Sequence, residues 1–210
     1  MSSETRERIL NSATELYLRD GFDGFSMRAL ARAVGVTAPA LYRHFASKEK
    51  LLHEIVGEAY RRLSAELYKA LSERTPHDRF RGAIRGYAKF ALANPKLYDV
   101  LFLPPSMMGD GVLPEEIEGH ACAVEQFFDD RVRECVASGV LRDELVTSSL
   151  WAHTHGLVSL YMRGHLEEKG VDSEEKFRDL LERSTTRVLE GLGGPAIRAV
   201  TGDDDSDAAA

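Results

Sequence analysis

Apolar residues recur three or four positions apart along most of the chain, which is the spacing of amphipathic α-helices. The first run predicts a helix from about Thr5 to Asp20. Ser26 and Thr37 can cap the next two helices, which are short and are separated by Gly35. The second of these helices ends near Phe45, so the chain opens with three predicted helices.

Longer helices are predicted for the rest of the chain, because no stretch alternates with the period of two that a strand requires. Thr75 with Asp78 caps one of them, and Asp172 with Glu175 caps the last. The segment Leu103–Pro114 is too rich in Pro, Gly and Met for a regular element. The predicted fold class is therefore all-α. The approximate helix bounds are Lys48–Arg74, Pro76–Asn94, Pro95–Phe102, Glu115–Ser138, Asp143–Lys169 and Ser173–Leu192.

The helix lengths predict a three-helix head over residues 1–50 and a helical body over residues 51–192. With 210 residues and a hydrophobic fraction of 43%, the chain is long enough to bury a core. Residues 193–210 are acidic and small, and we expect this tail to be disordered.

Charge is distributed unevenly along the chain. The formal net charge of -7 argues against nonspecific nucleic-acid binding by the whole molecule. Between residues 26 and 50 the balance is about +4, because Glu49 is the one acid there. A basic head is thus attached to an acidic body. The basic residues are Arg28, Arg32, Arg43, Lys48 and Lys50.

No apolar run approaches the roughly 18 to 20 residues that span a bilayer, and the first residues lack an apolar signal segment. We therefore expect a cytoplasmic protein with no membrane partner. Cys122 and Cys135 lie in one predicted helix, roughly 20 Å apart and beyond disulfide reach. We expect both to be reduced thiols that pack as small apolar groups.

Ala31 and Gly35 indicate a close crossing of two short helices. Helices that meet at a sharp angle need a small residue at the contact and, in the turn, a residue that tolerates positive φ. A helix-turn-helix of this kind leaves the N-terminal end of its second helix free to enter the major groove of DNA. The small side chains of Ala38, Pro39 and Ala40 let that end approach the base edges. Such a pair also occurs in helical hairpins that bind nothing.

The side chains around this second helix suit recognition of both bases and phosphates. Arg28 or Arg43 can bond guanine O6 and N7, and carbon atoms of the three small residues can contact thymine methyl groups. Hydroxyl, imidazole and ammonium groups can reach phosphates. The candidate phosphate contacts are Ser26, Thr37, Tyr42, His44 and Lys48.

The stretch "FSMRALARAVGVTAPALYRHFASKEKLLHEIV", preceded by "RERILNSATELYLRDGFDGF", resembles the N-terminal DNA-binding domain of the TetR (tetracycline-repressor-like) family. The match spans about Arg6 to Val56 without a gap, and "LYRHFASKEKLL" is its most specific part. The resemblance implies a homodimer that reads a palindromic double-stranded DNA operator. It assigns phosphate contacts to Ser26, Tyr42, His44 and Lys48 and base contacts to Arg28, Ala38, Pro39 and Arg43.

The stretch "WAHTHGLVSLY" is similar to a TetR subgroup whose C-terminal domain carries a Trp, His and Gly signature, here Trp151, His155 and Gly156. In the same predicted helix, small residues form a stripe against which another helix can lie, and the next helix offers an apolar seam. We expect these two helices to form a four-helix dimer interface, with an ordinary core face as the alternative. The interface candidates are Ser149, Ala152, Gly156, Ser159, Phe177, Leu181, Ser184 and Val188.

On the same resemblance we expect a small-molecule pocket in the body, where aromatic and Met residues cluster in sequence around Leu103–Pro114. The candidate lining residues are Tyr87, Phe90, Phe102, Met107, Met108, His120, Phe127, Trp151, His155 and Tyr161.

These observations predict a ligand-responsive transcriptional repressor without a cofactor or metal. Its effector would shift the population to a state in which two recognition helices no longer match a separation of about 34–36 Å. A constitutive DNA-binding protein and an activator stay open as alternatives. An enzyme is disfavoured, because His153 and His155 diverge by about 200° on a helix and no catalytic motif follows a strand.

Overall fold

The computed structural model describes residues 3–102, 114–142 and 147–193. Within these ranges every regular element is a helix, so the predicted all-α fold is confirmed. No helix of the described residues combines the length and the apolar character needed to cross a membrane. The α-helices are α1 Ser3–Gly24, α2 Met27–Val34, α3 Ala38–Tyr42, α4 Lys48–Leu67, α5 Pro76–Ala93, α6 Pro95–Leu101, α7 Glu115–Ala137, α8 Thr147–Met162 and α9 Glu174–Leu192.

The chain divides into two compact units. The first comprises Met1–Ser64 and Ala93–Ala123, and the second comprises Ala65–Leu92 and Val124–Ala210. The predicted domain boundary after residue 50 is not a boundary of either unit and stays a prediction. The predicted disordered tail lies, from residue 194 onward, outside the described residues.

Two predicted helices are shorter in the structure. α4 ends at Leu67, and a 3-10 helix, Tyr68–Ser72, replaces the predicted last turns to Arg74. α8 ends at Met162, not Lys169, because Gly164 adopts a left-handed φ of +76° and the amide of His165 bonds back to the carbonyl of Leu160 at 3.0 Å. The glycine that ends α8 was visible in the sequence.

Of the two N-caps predicted for the body, the one before α5 is confirmed and the one before α9 is wrong. Thr75 Oγ1 accepts from the amide of Asp78 at 3.0 Å. At α9, however, Ser173 is the cap and accepts from the amide of Lys176. Asp172 forms an ion pair with the Lys176 side chain at 2.8 Å instead.

The two cysteines have different environments. Cys135 is buried and its thiol donates to the carbonyl of Pro76 at 3.4 Å. Burial raises the pKa of Cys135 to about 12, so this thiol stays protonated. Cys122 is exposed, and the prediction that both thiols are packed is therefore wrong for Cys122.

His77, in the first turn of α5, makes stability depend on pH. Its side chain is buried, and this burial, reinforced by the charge of Arg81, lowers the pKa of His77 below its ordinary value near 6.5. Because the folded state disfavours the charged imidazole, the free energy of unfolding is expected to fall as the pH drops below about 6.5. Urea titrations at pH 7 and pH 5 should show a smaller loss for His77→Leu than for the unsubstituted protein. His165→Leu, at an exposed position, should keep the full loss, and equal losses in all three proteins would contradict the assignment.

Candidate functional site

The turn between α2 and α3 sets the direction of α3. Gly35 adopts φ +73° and ψ 32°, a left-handed conformation that glycine enters without steric strain. Its amide donates to the carbonyl of Arg32 at 3.3 Å, and the amide of Val36 donates to that of Ala31 at 2.9 Å. This pair of bonds closes the end of α2. The predicted glycine corner is thus confirmed.

Hydroxyl groups start the helices on both sides of the corner. Ser26 Oγ accepts from the amide of Ala29 at 3.4 Å, and Thr37 Oγ1 accepts from the amide of Ala40 at 3.3 Å. A hydroxyl that accepts one bond still has its own hydrogen to donate. Capping is therefore compatible with the predicted phosphate contacts of Ser26 and Thr37.

α3 buries one face and leaves its first turn accessible. Leu41 has no exposed surface and joins the buried Leu30 and Val34 of α2. Pro39 is exposed, and it is tolerated in the first turn because the amides there have no partner within the helix. Ala38 and Ala40, the other small candidates for base contact, are partly exposed.

Four of the basic side chains between residues 26 and 50 are exposed. Within the described part of the chain, Arg28, Arg32, Arg43 and Lys50 form no ion pair with a carboxylate. Other arginines are paired, as in the contact between Arg79 and Glu134 at 2.9 Å. Phosphate groups can therefore pair with these four cations without breaking an existing ion pair. Of the remaining contact candidates, Tyr42 is 48% exposed, His44 is exposed, and Lys48 is partly exposed.

A cluster of aromatic rings in the second unit contains four of the ten predicted pocket residues. Tyr87 Oη lies 3.0 Å from Nδ1 of His155, and the Trp151 ring stacks on the same imidazole with centroids 5.3 Å apart. Burial, followed by the charge of Arg163, lowers the pKa of His155, so its ring is neutral at pH 7. Phe128 contacts Tyr87 edge-on at 6.3 Å and the predicted Phe127 edge-on at 6.1 Å. Phe128 was missed, because the sequence gives no reason to prefer it to its neighbour Phe127.

A small cavity lined in part by this cluster has a volume of about 10 Å³. That space holds roughly one water molecule, whereas ligand pockets are usually about 300–1,000 Å³. A small-molecule effector that binds at this cavity therefore requires these side chains to move apart. The cavity is lined by Phe80, Ile84, Tyr87, Phe128, Thr147, Leu150, Trp151 and Thr154.

Two further pocket candidates in the second unit are buried or stacked. Phe90 has no exposed surface, and Tyr161 stacks on Phe177 with centroids 4.3 Å apart. Phe102 is 39% exposed and contacts Tyr98 of the first unit.

His120 also belongs to the first unit, where it lines a groove of about 380 Å³ with His44 and Lys50. Phe102 and His120 thus belong to a different unit from the aromatic cluster. Met107 and Met108 lie outside the described residues.

α8 exposes much of its apolar surface. Trp151 is 45% exposed and Leu160 is 44% exposed, although the helix sequence is apolar. The predicted small-residue stripe lies at the surface: Ser149 and Ala152 are exposed, and Gly156 and Ser159 are partly exposed. Such a face favours contact with a partner helix.

The expected contribution of α9 to this face needs a correction. Phe177 and Leu181 are 0% and 2% exposed, so the chain's own core covers them and they cannot contact a partner. Ser184 and Val188 are partly exposed. Ser184 also bonds His153 Nε2 at 3.2 Å, so His153 and His155 contact different helices.

Residues 9–55 match the family described as bacterial regulatory proteins, tetR family. Residues 80–184, half of the chain, match the tetracyclin repressor-like C-terminal domain. Both parts of the chain thus match TetR-type regulators.

UidR of Escherichia coli K12, an HTH-type transcriptional regulator, is 42% identical over 52 residues, which are 25% of this chain and 26% of UidR. The chain thus spans about a quarter of that relative in the match. YobS of Bacillus subtilis, described as an uncharacterized HTH-type transcriptional regulator, is 25% identical over 90% of this chain and 92% of YobS. The crystal structure of PfmR, a TetR family transcriptional regulator from Thermus thermophilus, matches with a TM-score of 0.71 at 24% identity and covers 88% of this chain and 98% of PfmR. This structural likeness concerns the fold.

Proposed function

This chain belongs to the TetR family of bacterial regulatory proteins, whose members regulate transcription and are not enzymes, and from that premise we propose that it is a ligand-responsive repressor. In this proposal, a homodimer binds a palindromic operator in the cytoplasm through α3 of each subunit. A small hydrophobic effector releases it.

The proposal rests on one combination of features: the first turn of α3 is accessible, and four cations of the head form no ion pair with a carboxylate of the described residues. These cations are Arg28, Arg32, Arg43 and Lys50. Phosphate contacts fall to Ser26, Thr37, Tyr42, His44 and Lys48, and base contacts to Arg28, Ala38, Pro39, Ala40 and Arg43. Because Gly35 and the Thr37 cap hold the first turn of α3 at a defined corner, the base contacts act from a rigid support.

Dimerisation is assigned to the exposed faces of α8 and α9. An operator with two half-sites requires two α3 helices about 34–36 Å apart, which a single chain does not supply. The exposed apolar surface of α8, with Trp151 and Leu160, supports this assignment. Ser149, Ala152, Gly156, Ser159, Ser184 and Val188 complete the proposed interface.

Release is assigned to a population shift. The effector stabilises a state in which Tyr87, Phe128 and Trp151 separate to enlarge the small cavity that they line. α4 carries residues of both units, so chain continuity can transmit the change. A tenfold loss of operator affinity requires the effector to prefer the released state by about 1.4 kcal/mol. We also propose that the chain belongs to the TetR subgroup with a Trp, His and Gly signature, because two residues of that signature, Trp151 and His155, stack on each other.

Selection of bound duplexes from a random pool tests the proposal. The expected winner is a palindrome with half-sites one helical turn apart, and screening should find apolar compounds that release it. If no duplex is enriched at low ionic strength, or the enriched sites lack two-fold symmetry, the proposal fails. Binding that no compound reverses favours a constitutive DNA-binding protein, and increased transcription from an operator-controlled reporter identifies an activator.

Phosphate and base contacts are expected to differ in their salt dependence and selectivity. Lys48→Met should weaken binding to all duplexes and lower the salt slope by about 1 per subunit, because one counterion fewer is released. Arg43→Met should lose about 1–3 kcal/mol of selectivity at particular base pairs. Titrations of operator and random duplex at several salt concentrations measure both effects. Lys69→Met, on the 3-10 helix of the body, is the control with the same charge change, and an effect as large there would remove the assigned roles.

A further inference from the structure

Arg8 of α1 bonds to the corner that precedes α3. Its Nη2 donates to the carbonyl oxygen of Val34 at 3.0 Å. Val34 is the last residue of α2, and the carbonyls in the last turn of a helix have no partner within it. The turn's own amides donate to the carbonyls of Ala31 and Arg32, whereas the carbonyl of Val34 accepts from Arg8.

This contact is chemically well matched. The guanidinium is always charged, so the bond is charge-assisted and stronger than one between neutral groups. A positive group at the C-terminal end of a helix also interacts favourably with the helix dipole. Arg8 therefore completes the C-cap of α2 from a different helix.

Few residues separate this bond from the predicted base contacts. Only Gly35, Val36 and Thr37 separate Val34 from the first residue of α3. Thr37 is itself held as the N-cap of α3. A displacement of the Val34 carbonyl is therefore passed to the first turn of α3.

We propose that Arg8 is a positioning residue for DNA recognition, which holds α3 at the angle required to read bases without contacting them itself. The inference rests on the proposed function for its consequence, but the structural role of Arg8 is independent of it. Arg8 is an exposed residue, and a direct phosphate contact by its guanidinium is the competing explanation.

Two substitutions separate these explanations. Arg8→Met removes the charge and the donor, and Arg8→Gln removes the charge but keeps an N–H donor. Arg8→Met should weaken operator binding about 3- to 10-fold, with random-duplex binding changed less than about twofold and an unchanged salt slope. Arg8→Gln should recover much of the loss. Arg19→Met, at an exposed position on α1 where Arg19 pairs with the adjacent Asp20, is the charge-matched control and should bind as the unsubstituted protein does.

Two results in these titrations overturn the inference. One is an equal loss on both duplexes with the salt slope lowered by about 1 per subunit, which identifies a phosphate contact. The other is binding by Arg8→Met equal to that of the unsubstituted protein.

Amide hydrogen exchange tests the corner without DNA. The amides of Gly35 and Val36 should exchange faster in Arg8→Met than in Arg8→Gln or the unsubstituted protein, because the end of α2 opens more often. Unchanged exchange of these amides overturns the inference even when Arg8→Met weakens operator binding. Faster exchange in a protein that binds no duplex leaves the role of Arg8 at the corner standing and rejects the proposed function alone.

Discussion

Ala152→Arg is expected to leave the protein monomeric and to weaken binding to its palindromic operator by at least about 100-fold. Ala152 is exposed on α8 next to the half-exposed Trp151, within the proposed dimer interface. In a two-fold interface each substitution occurs twice, so two like charges enter one apolar contact. Burial of unpaired charges costs several kcal/mol, which is comparable to the free energy that holds many dimers together.

Sedimentation velocity and operator titration measure this effect. Ala65→Arg, on an exposed position of α4 outside the proposed interface, supplies the same side chain as a control and should remain dimeric. Circular dichroism should report the same helix content for both variants. A dimer that survives Ala152→Arg with full operator affinity would place the interface elsewhere.

Gly86→Ala is expected to lower the free energy of unfolding by about 2 kcal/mol. A Cβ at Gly86 would lie 2.8 Å from the carbonyl oxygen of Glu66 and 3.1 Å from its carbonyl carbon, both backbone atoms at the end of α4. Backbone cannot rotate away as a flexible side chain can, so α5 must shift from α4. Alanine's better helix propensity, worth up to about 1 kcal/mol, offsets only part of the loss.

Thermal unfolding checks the effect, and a fall in Tm of about 4–8 °C is expected for a chain of this length. Gly119→Ala in α7 is the matched control, because nothing lies within 4 Å of its added Cβ. That variant should be as stable as the unsubstituted protein or slightly more stable, since alanine favours a helix. If both variants unfold alike, the close approach of α5 to the end of α4 is not a determinant of stability.

The head was largely predictable because its signals are local. Ser26 and Thr37 bond to amides three residues away, and Gly35 closes α2 through bonds that span no more than five residues. Local bonds of this kind depend on nearby residue types and not on distant packing. The error at the end of α8 came from overlooking such a signal, Gly164, and not from its absence.

The body was less predictable because its site depends on residues far apart in the chain. The bond between Tyr87 and His155 joins positions 68 residues apart, and nothing in either neighbourhood indicates the other. An apolar periodicity predicts that a helix has a buried face, but not whether the chain itself or a partner covers it. Phe177 and Leu181 were assigned to a partner for this reason and are covered by the chain.

Residue types alone predict the all-α class, most of the helix bounds and the glycine corner before α3, since caps and turns act within a few residues. Only packing brings Arg8 to the carbonyl of Val34 and reduces the aromatic cavity to about 10 Å³. Packing also leaves Arg28, Arg32, Arg43 and Lys50 without an ion pair in the described part of the chain. Each of these depends on which distant atoms come within about 4 Å of one another, and that distance is set by packing, not by local residue preference.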